Sequence, residues 1–219
     1  MVKCMSEEGF YDFVEIGTSD WDTFIEKADD SKIGVSIEPF QIYLDKLPDR
    51  KNVTKICAAI SDEEGEADIH YIPQENIEKY RLPSWVKGTP RLYKRHPFVL
   101  KLLANEAEDN PLEKAIDPDN IYAKMTIKVR RLKSIIDQLN IKFIKILKID
   151  TEGMDGRILL DYFRCCEHEG YPFPFCVQYE HVLLSLKERL YILSEAQRFG
   201  YIIQEERLEN TILIKKEIS

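Results

Sequence analysis

Apolar residues in this chain come in short runs that stop abruptly on small or acidic groups. Phe13-Val14-Glu15-Ile16 ends at Gly17-Thr18-Ser19-Asp20, and Gly34-Val35-Ser36-Ile37 ends at Glu38-Pro39. Runs of this length, bounded by turn residues, read as strands buried on both faces, which is the habit of parallel sheets. The pattern predicts a strand at Asp12–Ile16, a helix at Asp20–Lys27, a strand at Ile33–Ile37, a helix at Phe40–Leu47 and a strand at Thr54–Ile60. Short links between these elements are those of βαβ units, which cross over right-handed. A turn at Glu64-Gly65 leads into a short added strand at Ala67–Ile72.

From Pro73 to about Tyr122 the rhythm is lost. Pro73, Pro83, Pro90, Pro97, Pro111 and Pro118 fall here, and the middle is basic and aromatic. A connection this long is read as a surface excursion or as a substrate lid. Regularity returns with a strand at Met125–Val129, a helix at Ser134–Leu139 and a strand at Phe143–Ile149 that ends on Asp150. A helix at Gly156–His168 stops at Gly170. A strand at Phe175–Tyr179 ends on Glu180-His181, and a helix at Leu186–Phe199 stops at Gly200. Tyr201–Glu205 and Thr211–Lys215 flank the polar turn Glu209-Asn210 and form a hairpin.

Composition narrows the class. The 219 residues suit one domain, here 1–219 with an irregular insert at about 73–122. A net charge of −8 argues against nucleic acid as the main partner. No window approaches a membrane span and the N-terminus lacks a signal peptide's apolar core, so the expected location is cytoplasmic. Five cysteines without a CxxC pair are read as reduced and structural, not as a zinc site.

Five strand ends carry polar groups: Glu15-Ile16-Gly17, Glu38-Pro39, Ser61-Asp62, Asp150-Thr151-Glu152-Gly153 and Glu180-His181. In a parallel sheet all five project to one edge, where doubly wound folds bind their ligands. A glycine after the first strand permits close backbone approach, and an acid after the second can accept from two ribose hydroxyls. This suggests a cofactor bearing adenosine, and the closing hairpin favours S-adenosylmethionine over a nicotinamide.

Phe13–Asp20, Ser36–Pro39, Ala58–Asp62 and above all Leu147-Lys148-Ile149-Asp150-Thr151-Glu152-Gly153 resemble the FkbM family of S-adenosylmethionine-dependent methyltransferases. Trp21 stands where that family has its second glycine. The resemblance implies a Rossmann-like class I methyltransferase fold of the α/β class. Its mostly parallel seven-stranded sheet would end in an antiparallel hairpin and carry helices on both faces. It implies O-methylation, often of a sugar or polyketide hydroxyl. Carried onto this chain, Glu15 and Gly17 would meet the methionine part of the cofactor, with Thr18, Ser19 and Asp20 lining the same loop. Glu38, followed by Pro39, would hold the ribose, and Ile60, Ser61 and Asp62 would border the adenine.

Methyl transfer to a hydroxyl needs in-line geometry and a base for the departing proton. Asp150, Glu152, Glu180 and His181 are the candidates, with His181 the best suited to titrate near neutrality. Glu15 has a second reading, as an acid at the N-terminus of the following helix. The acids could also hold magnesium, which prefers oxygen ligands; metal-free transfer is the expectation. Trp85, Arg91, Tyr93 and Arg95 of the insert are candidate acceptor contacts, by stacking on a sugar or by pairing with a phosphate. The partner expected is a small-molecule or glycan acceptor, with oligomeric state undefined. Rival readings are a nicotinamide-dependent oxidoreductase and a non-catalytic module that keeps the fold.

Overall fold

Strand β1 (Phe10–Ile16) buries Phe13, Val14, Glu15 and Ile16 in succession, so both of its faces are covered. The same holds for β2 (Gly34–Glu38), all five residues of which are buried. Such strands belong in the middle of a parallel sheet. The computed structural model describes residues 8–19, 23–106, 112 and 114–216 of the chain.

The chain forms two compact units, residues 1–65 with 129–219, and residues 66–128. In the first, β3 (Val53–Cys57) follows β2, and β4 (Ala59–Ser61) comes next. After β5 (Gly65–Tyr71), β6 (Arg91–Leu92) and β7 (Ala123–Arg131), the first unit continues with β8 (Phe143–Ile149), β9 (Cys176–Glu180), β10 (Tyr201–Glu206) and β11 (Asn210–Lys215). Seven strands make the main sheet, in the order β10-β11-β9-β8-β1-β2-β3. The β1, β2, β3, β8 and β9 strands pair in parallel, and β11 lies antiparallel to both β9 and β10. The expected parallel sheet and terminal hairpin are therefore both present.

Helices α1 (Phe24–Lys27), α2 (Gln41–Leu44), α3 (Gln74–Lys79), α4 (Pro97–Leu103), α5 (Leu132–Gln138), α6 (Asp155–Glu169) and α7 (Leu186–Arg198) complete the regular structure. Two start on capping boxes. Thr23 with Glu26 opens α1, and Ser185 with Glu188 opens α7. Gly170 closes α6 in the left-handed conformation, at φ 78°. Phe13, Ile25, Ala28, Leu44 and Leu47 form one apolar cluster of the first unit. Four cysteines, Cys57, Cys165, Cys166 and Cys176, are free thiols. Among the described residues no helix is long and apolar enough to cross a membrane.

One expected strand is divided. The sequence pattern predicts a single strand over Thr54–Ile60, but β3 stops at Cys57. The Ala58 N–H donates to the Glu38 carbonyl, and β4 then pairs in parallel with the end of β7, Ala59 opposite Val129. An unbroken apolar run carries no sign of a change of sheet partner, so this break could not be read from residue types.

The second unit has its own organisation where an irregular excursion was expected. In it β5 pairs antiparallel with β6, His70 opposite Arg91. Its core comprises Ile72, Ile77, Leu82, Val86, Val99, Leu102, Leu103 and Ile121. Its helices are only six and seven residues long, too short for a 3.6-residue period to declare itself.

Candidate functional site

Because β1, β2, β8 and β9 are parallel, their carboxyl ends lie on one edge of the main sheet. That edge brings together Gly17, Glu38, Asp150 and Glu180. Asp20 and Trp21, the remaining features of the first loop, lie outside the described residues.

Gly17 has φ 77°, and a Cβ there would fall 1.7 Å from the Asp150 carbonyl oxygen. The close approach that requires glycine is thus to the neighbouring strand end. The Gly17 N–H donates to the Ile37 carbonyl at 2.9 Å, and Asp150 N–H to that of Ile16 at 2.9 Å, so three strand ends are stitched at this point. Thr18 is buried, with its hydroxyl on the Ser19 carbonyl at 3.3 Å. Ser19 takes the left-handed conformation, φ 49°, which aims its N–H at Glu38 Oε2 at 2.8 Å. The other oxygen of Glu38 accepts from the Phe40 N–H at 3.1 Å. Glu38 is thereby fixed between the two loops that follow β1 and β2, with Pro39 half-buried beside it.

Glu15 is fully buried and its carboxylate is spent within the protein. It accepts from the Phe24 N–H at 3.0 Å, the first amide of α1, and from Lys148 Nζ at 3.2 Å. The contact seen is the acid at a helix N-terminus, its second reading from sequence. Burial pushes its pKa up against the pull of Lys148.

Ile60 and Ser61 are buried on β4. Ser61 donates to Asp62 at 2.9 Å, and Asp62 also accepts from Arg157 of α6 at 2.9 Å. Burial raises the Asp62 pKa, but Arg157 and Ser61 outweigh it and hold the carboxyl below its ordinary range.

The end of β8 is the most charged part of the edge. One carboxylate oxygen from each of Asp150, Glu152 and Glu180 lies within 4.8 Å of the others, a spacing that could surround one cation. Glu152 and Gly153 have φ of 56° and 105°, which turns the loop sharply before α6. Burial, and then the like charge of Asp155, raise the Asp150 pKa to about 7. Burial and the neighbours Glu152, Asp155 and Asp150 raise that of Glu180 to about 10, so Glu180 carries its proton at neutral pH. One of its oxygens, Oε2, is buried and has no hydrogen-bond partner among the described residues.

His181 is 4% exposed, with Nδ1 hydrogen-bonded to the Thr211 hydroxyl at 2.8 Å. Burial, and then Arg189, lower its pKa. It is a neutral imidazole with one nitrogen already engaged on β11.

The insert residues lie in the second unit. Trp85 and Tyr93 are exposed by 43% and 46%. Arg91 is buried, whereas Arg95 is ion-paired with Asp119 and lies over the Tyr122 ring at 5.3 Å.

Three participants were missed from sequence: Asp155, Arg157 and Thr211. Asp155 alone had a legible signal, an acid at the first helical position after a strand–loop box. The partners of Arg157 and Thr211 are remote in sequence and leave no local pattern.

Searches of curated proteins and of solved structures returned no match. The Methyltransferase FkbM domain, by contrast, matches residues 9–193, a stretch that runs from β1 into α7 and takes in every acid of the sheet edge. The chain belongs to the FkbM methyltransferase family.

Proposed function

We propose that this protein is an S-adenosylmethionine-dependent O-methyltransferase of the Rossmann-like class I architecture, acting on a sugar hydroxyl of a glycan or glycosylated metabolite. One observation carries the reading. A mostly parallel sheet closed by an antiparallel hairpin gathers Gly17, Glu38, Asp150 and Glu180 on a single edge. Family membership supports the transferase class, and the sugar rests on the family resemblance.

In this reading Glu38 accepts from the ribose hydroxyls, and Thr18 and Ser19 line the methionine side with Asp20. Glu15 serves the cofactor indirectly, by tying α1 and Lys148 to the first strand. Ile60, Ser61 and Asp62 border the adenine. When bound, S-adenosylmethionine supplies a methyl group on a positively charged sulfur, a charge that the acids of this edge favour.

The protein's own work is then to orient the acceptor and take its proton. Asp150 is the base that this geometry favours over His181. Its pKa lies near working pH, and among the described residues no hydrogen bond to its carboxylate contributes to that shift. Asp150 would accept the proton of an acceptor hydroxyl presented to the methyl group that bound S-adenosylmethionine would supply. Glu180, protonated, donates a hydrogen bond to the acceptor, and Glu152 helps orient it. His181 holds the end of β9 to β11. Trp85, Arg91, Tyr93 and Arg95 are assigned to acceptor recognition by the second unit. Transfer in this reading needs no metal, and dialysis against EDTA is expected to leave the rate unchanged.

Calorimetry with S-adenosylhomocysteine tests the cofactor assignment, and absence of binding at high micromolar concentration would refute it. Binding of NADH instead would move the chain to the oxidoreductases. Transfer of radiolabelled methyl to a panel of sugars tests the acceptor class; cofactor binding with no transfer to any sugar would favour another hydroxyl acceptor or a non-catalytic module.

A further inference from the structure

Asp155 is the first residue of α6 and has no exposure to solvent, yet it carries a carboxylate. Both oxygens are in use. Oδ2 accepts from the Thr151 hydroxyl at 2.8 Å, the Gly153 N–H at 3.2 Å and the Thr151 N–H at 3.4 Å. Oδ1 accepts from the Glu180 N–H at 3.1 Å. An acid placed only to favour its own helix would account for the bonds to Thr151 and Gly153. It would not account for the bond to Glu180, which stands on another strand.

The two segments so joined are those that carry the three acids. Thr151 lies between Asp150 and Glu152, and Glu180 ends β9. Carboxylates within 4.8 Å of one another repel, and Glu152 adds a left-handed backbone that a side chain disfavours. The parallel pairing of β8 with β9 runs as far as Ile149 opposite Tyr179, so the loop and Glu180 lie just beyond it. We propose that Asp155 is a positioning residue, whose carboxylate bonds the Thr151–Gly153 loop and the Glu180 amide at once and so holds Asp150, Glu152 and Glu180 together as one acid cluster. The significance of that cluster rests on the methyltransfer reading; its geometry does not.

Every group bonded to Asp155 is a donor. An asparagine at 155 has one oxygen and could therefore satisfy only one of the two sides. Thr151→Val removes one bond to Oδ2 and changes no charge. Thr151→Ser keeps the hydroxyl. This matters because Glu180 is faced by Glu152, Asp155, Asp150 and Glu209, whose charges must stay constant for its titration to report distance.

The test uses the whole chain, without cofactor or acceptor, so that failure of the methyltransfer reading leaves it intact. Amide exchange at Gly153 and Glu180 is measured by NMR in the wild type, Asp155→Asn, Thr151→Val and Thr151→Ser. The carboxyl carbon of Glu180 is titrated in the wild type and both Thr151 variants. Asp155→Asn is expected to speed exchange at Gly153 or at Glu180 by at least about tenfold. Thr151→Val should speed exchange at Gly153 and move the Glu180 midpoint toward the ordinary carboxylate range by at least about half a pH unit, and Thr151→Ser should restore both. A Thr151→Val protein that speeds exchange at Gly153 but leaves the Glu180 midpoint unmoved would overturn the proposal, because the clamp would then loosen without the acids parting. Unchanged exchange in Asp155→Asn would overturn it as well.

Discussion

Glu15 and Lys148 stand directly opposite each other on neighbouring parallel strands, and Lys148 Nζ donates to Glu15 Oε1 at 3.2 Å. Both are buried, Glu15 completely. Two charges removed from water attract strongly, but the cost of desolvating them consumes most of that gain. What the pair secures is geometry: Lys148 precedes the Asp150 strand end by two residues, and Glu15 grips the first amide of α1. One ion pair thereby ties the two central strands beneath the proposed cofactor loop.

Removing one partner should cost far more than removing both. Lys148→Met leaves a buried carboxylate unpaired and is expected to lose about 3–5 kcal/mol of unfolding free energy. Adding Glu15→Gln should recover a substantial part of it. Urea denaturation of the two single variants and the double measures this, and additive losses would show that the two residues do not act as a pair.

Much of the fold was legible because its signals are local. Strands β1, β2, β8 and β9 announce themselves as short, mostly apolar runs that end on turn or acidic residues. Glu188 three residues after Ser185 marks the start of α7. The division at Ala58 was not legible, since strand partners are chosen by packing between distant segments. The site divides in the same way. Glu38 and Asp150 could be found from strand ends, whereas the burial of Glu15 against Lys148, and the engagement of His181 by Thr211, depend on neighbours far along the chain. Burial also reverses roles: Glu180, considered as a base from its residue type, has its pKa raised to about 10 by burial and by four neighbouring acids.

Gly17→Ala should be severely destabilising, by at least about 3 kcal/mol, because the new methyl carbon meets the Asp150 carbonyl and the backbone is left-handed. Gly65→Ala is the control. Its φ of 138° is also unfavourable, but nothing lies within 4 Å of the added carbon, so a cost of about 1–2 kcal/mol is expected. Thermal unfolding separates the two; equal costs would mean that the clash at Gly17 relaxes freely.

Stability should fall as pH rises. The pKa values of Asp155 and Asp150 are raised to about 6 and 7 and that of Glu180 to about 10, in each case first by burial and, for Asp150 and Glu180, also by neighbouring acids. The fold therefore holds more protons than the unfolded chain across this range, and it loses stability as pH climbs from the ordinary carboxylate range through each value. Asp62 and Glu64, held low by their partners, oppose this only in acid, and His70 and His181, whose pKa values burial lowers, oppose it below the ordinary histidine range. Unfolding free energy is expected to drop by at least about 1 kcal/mol between pH 5 and pH 9. Glu180→Gln should flatten the part of that slope above pH 7.

Glu38→Ala should weaken S-adenosylhomocysteine by about ten- to a hundredfold in calorimetry, the effect of losing charge-assisted hydrogen bonds to a ligand. The Ser19 and Phe40 amides lose their acceptor in the same variant. Glu38→Gln keeps an oxygen for one of them and is expected to fall between the two. Affinity unchanged in Glu38→Ala would remove Glu38 from the cofactor site.

Asp150 and Glu180 are distinguished by their amide variants. Asp150→Asn removes the proposed base and is expected to slow methyl transfer about a hundred- to ten-thousandfold, with S-adenosylhomocysteine affinity nearly intact. Glu180 already carries a proton at neutral pH, so Glu180→Gln copies its hydrogen-bonding state and should transfer methyl at close to the wild-type rate at pH 7. His181→Ala should lower stability through the lost Thr211 contact more than it lowers the rate of the folded enzyme. The pH profile makes the assignment independent of any substitution. A base that is protonated below about pH 7 gives a rate that rises through that value and then levels, because only the carboxylate can accept the hydroxyl proton. A profile that is flat across pH 5–8, or a Glu180→Gln variant as slow as Asp150→Asn, would shift the base away from Asp150.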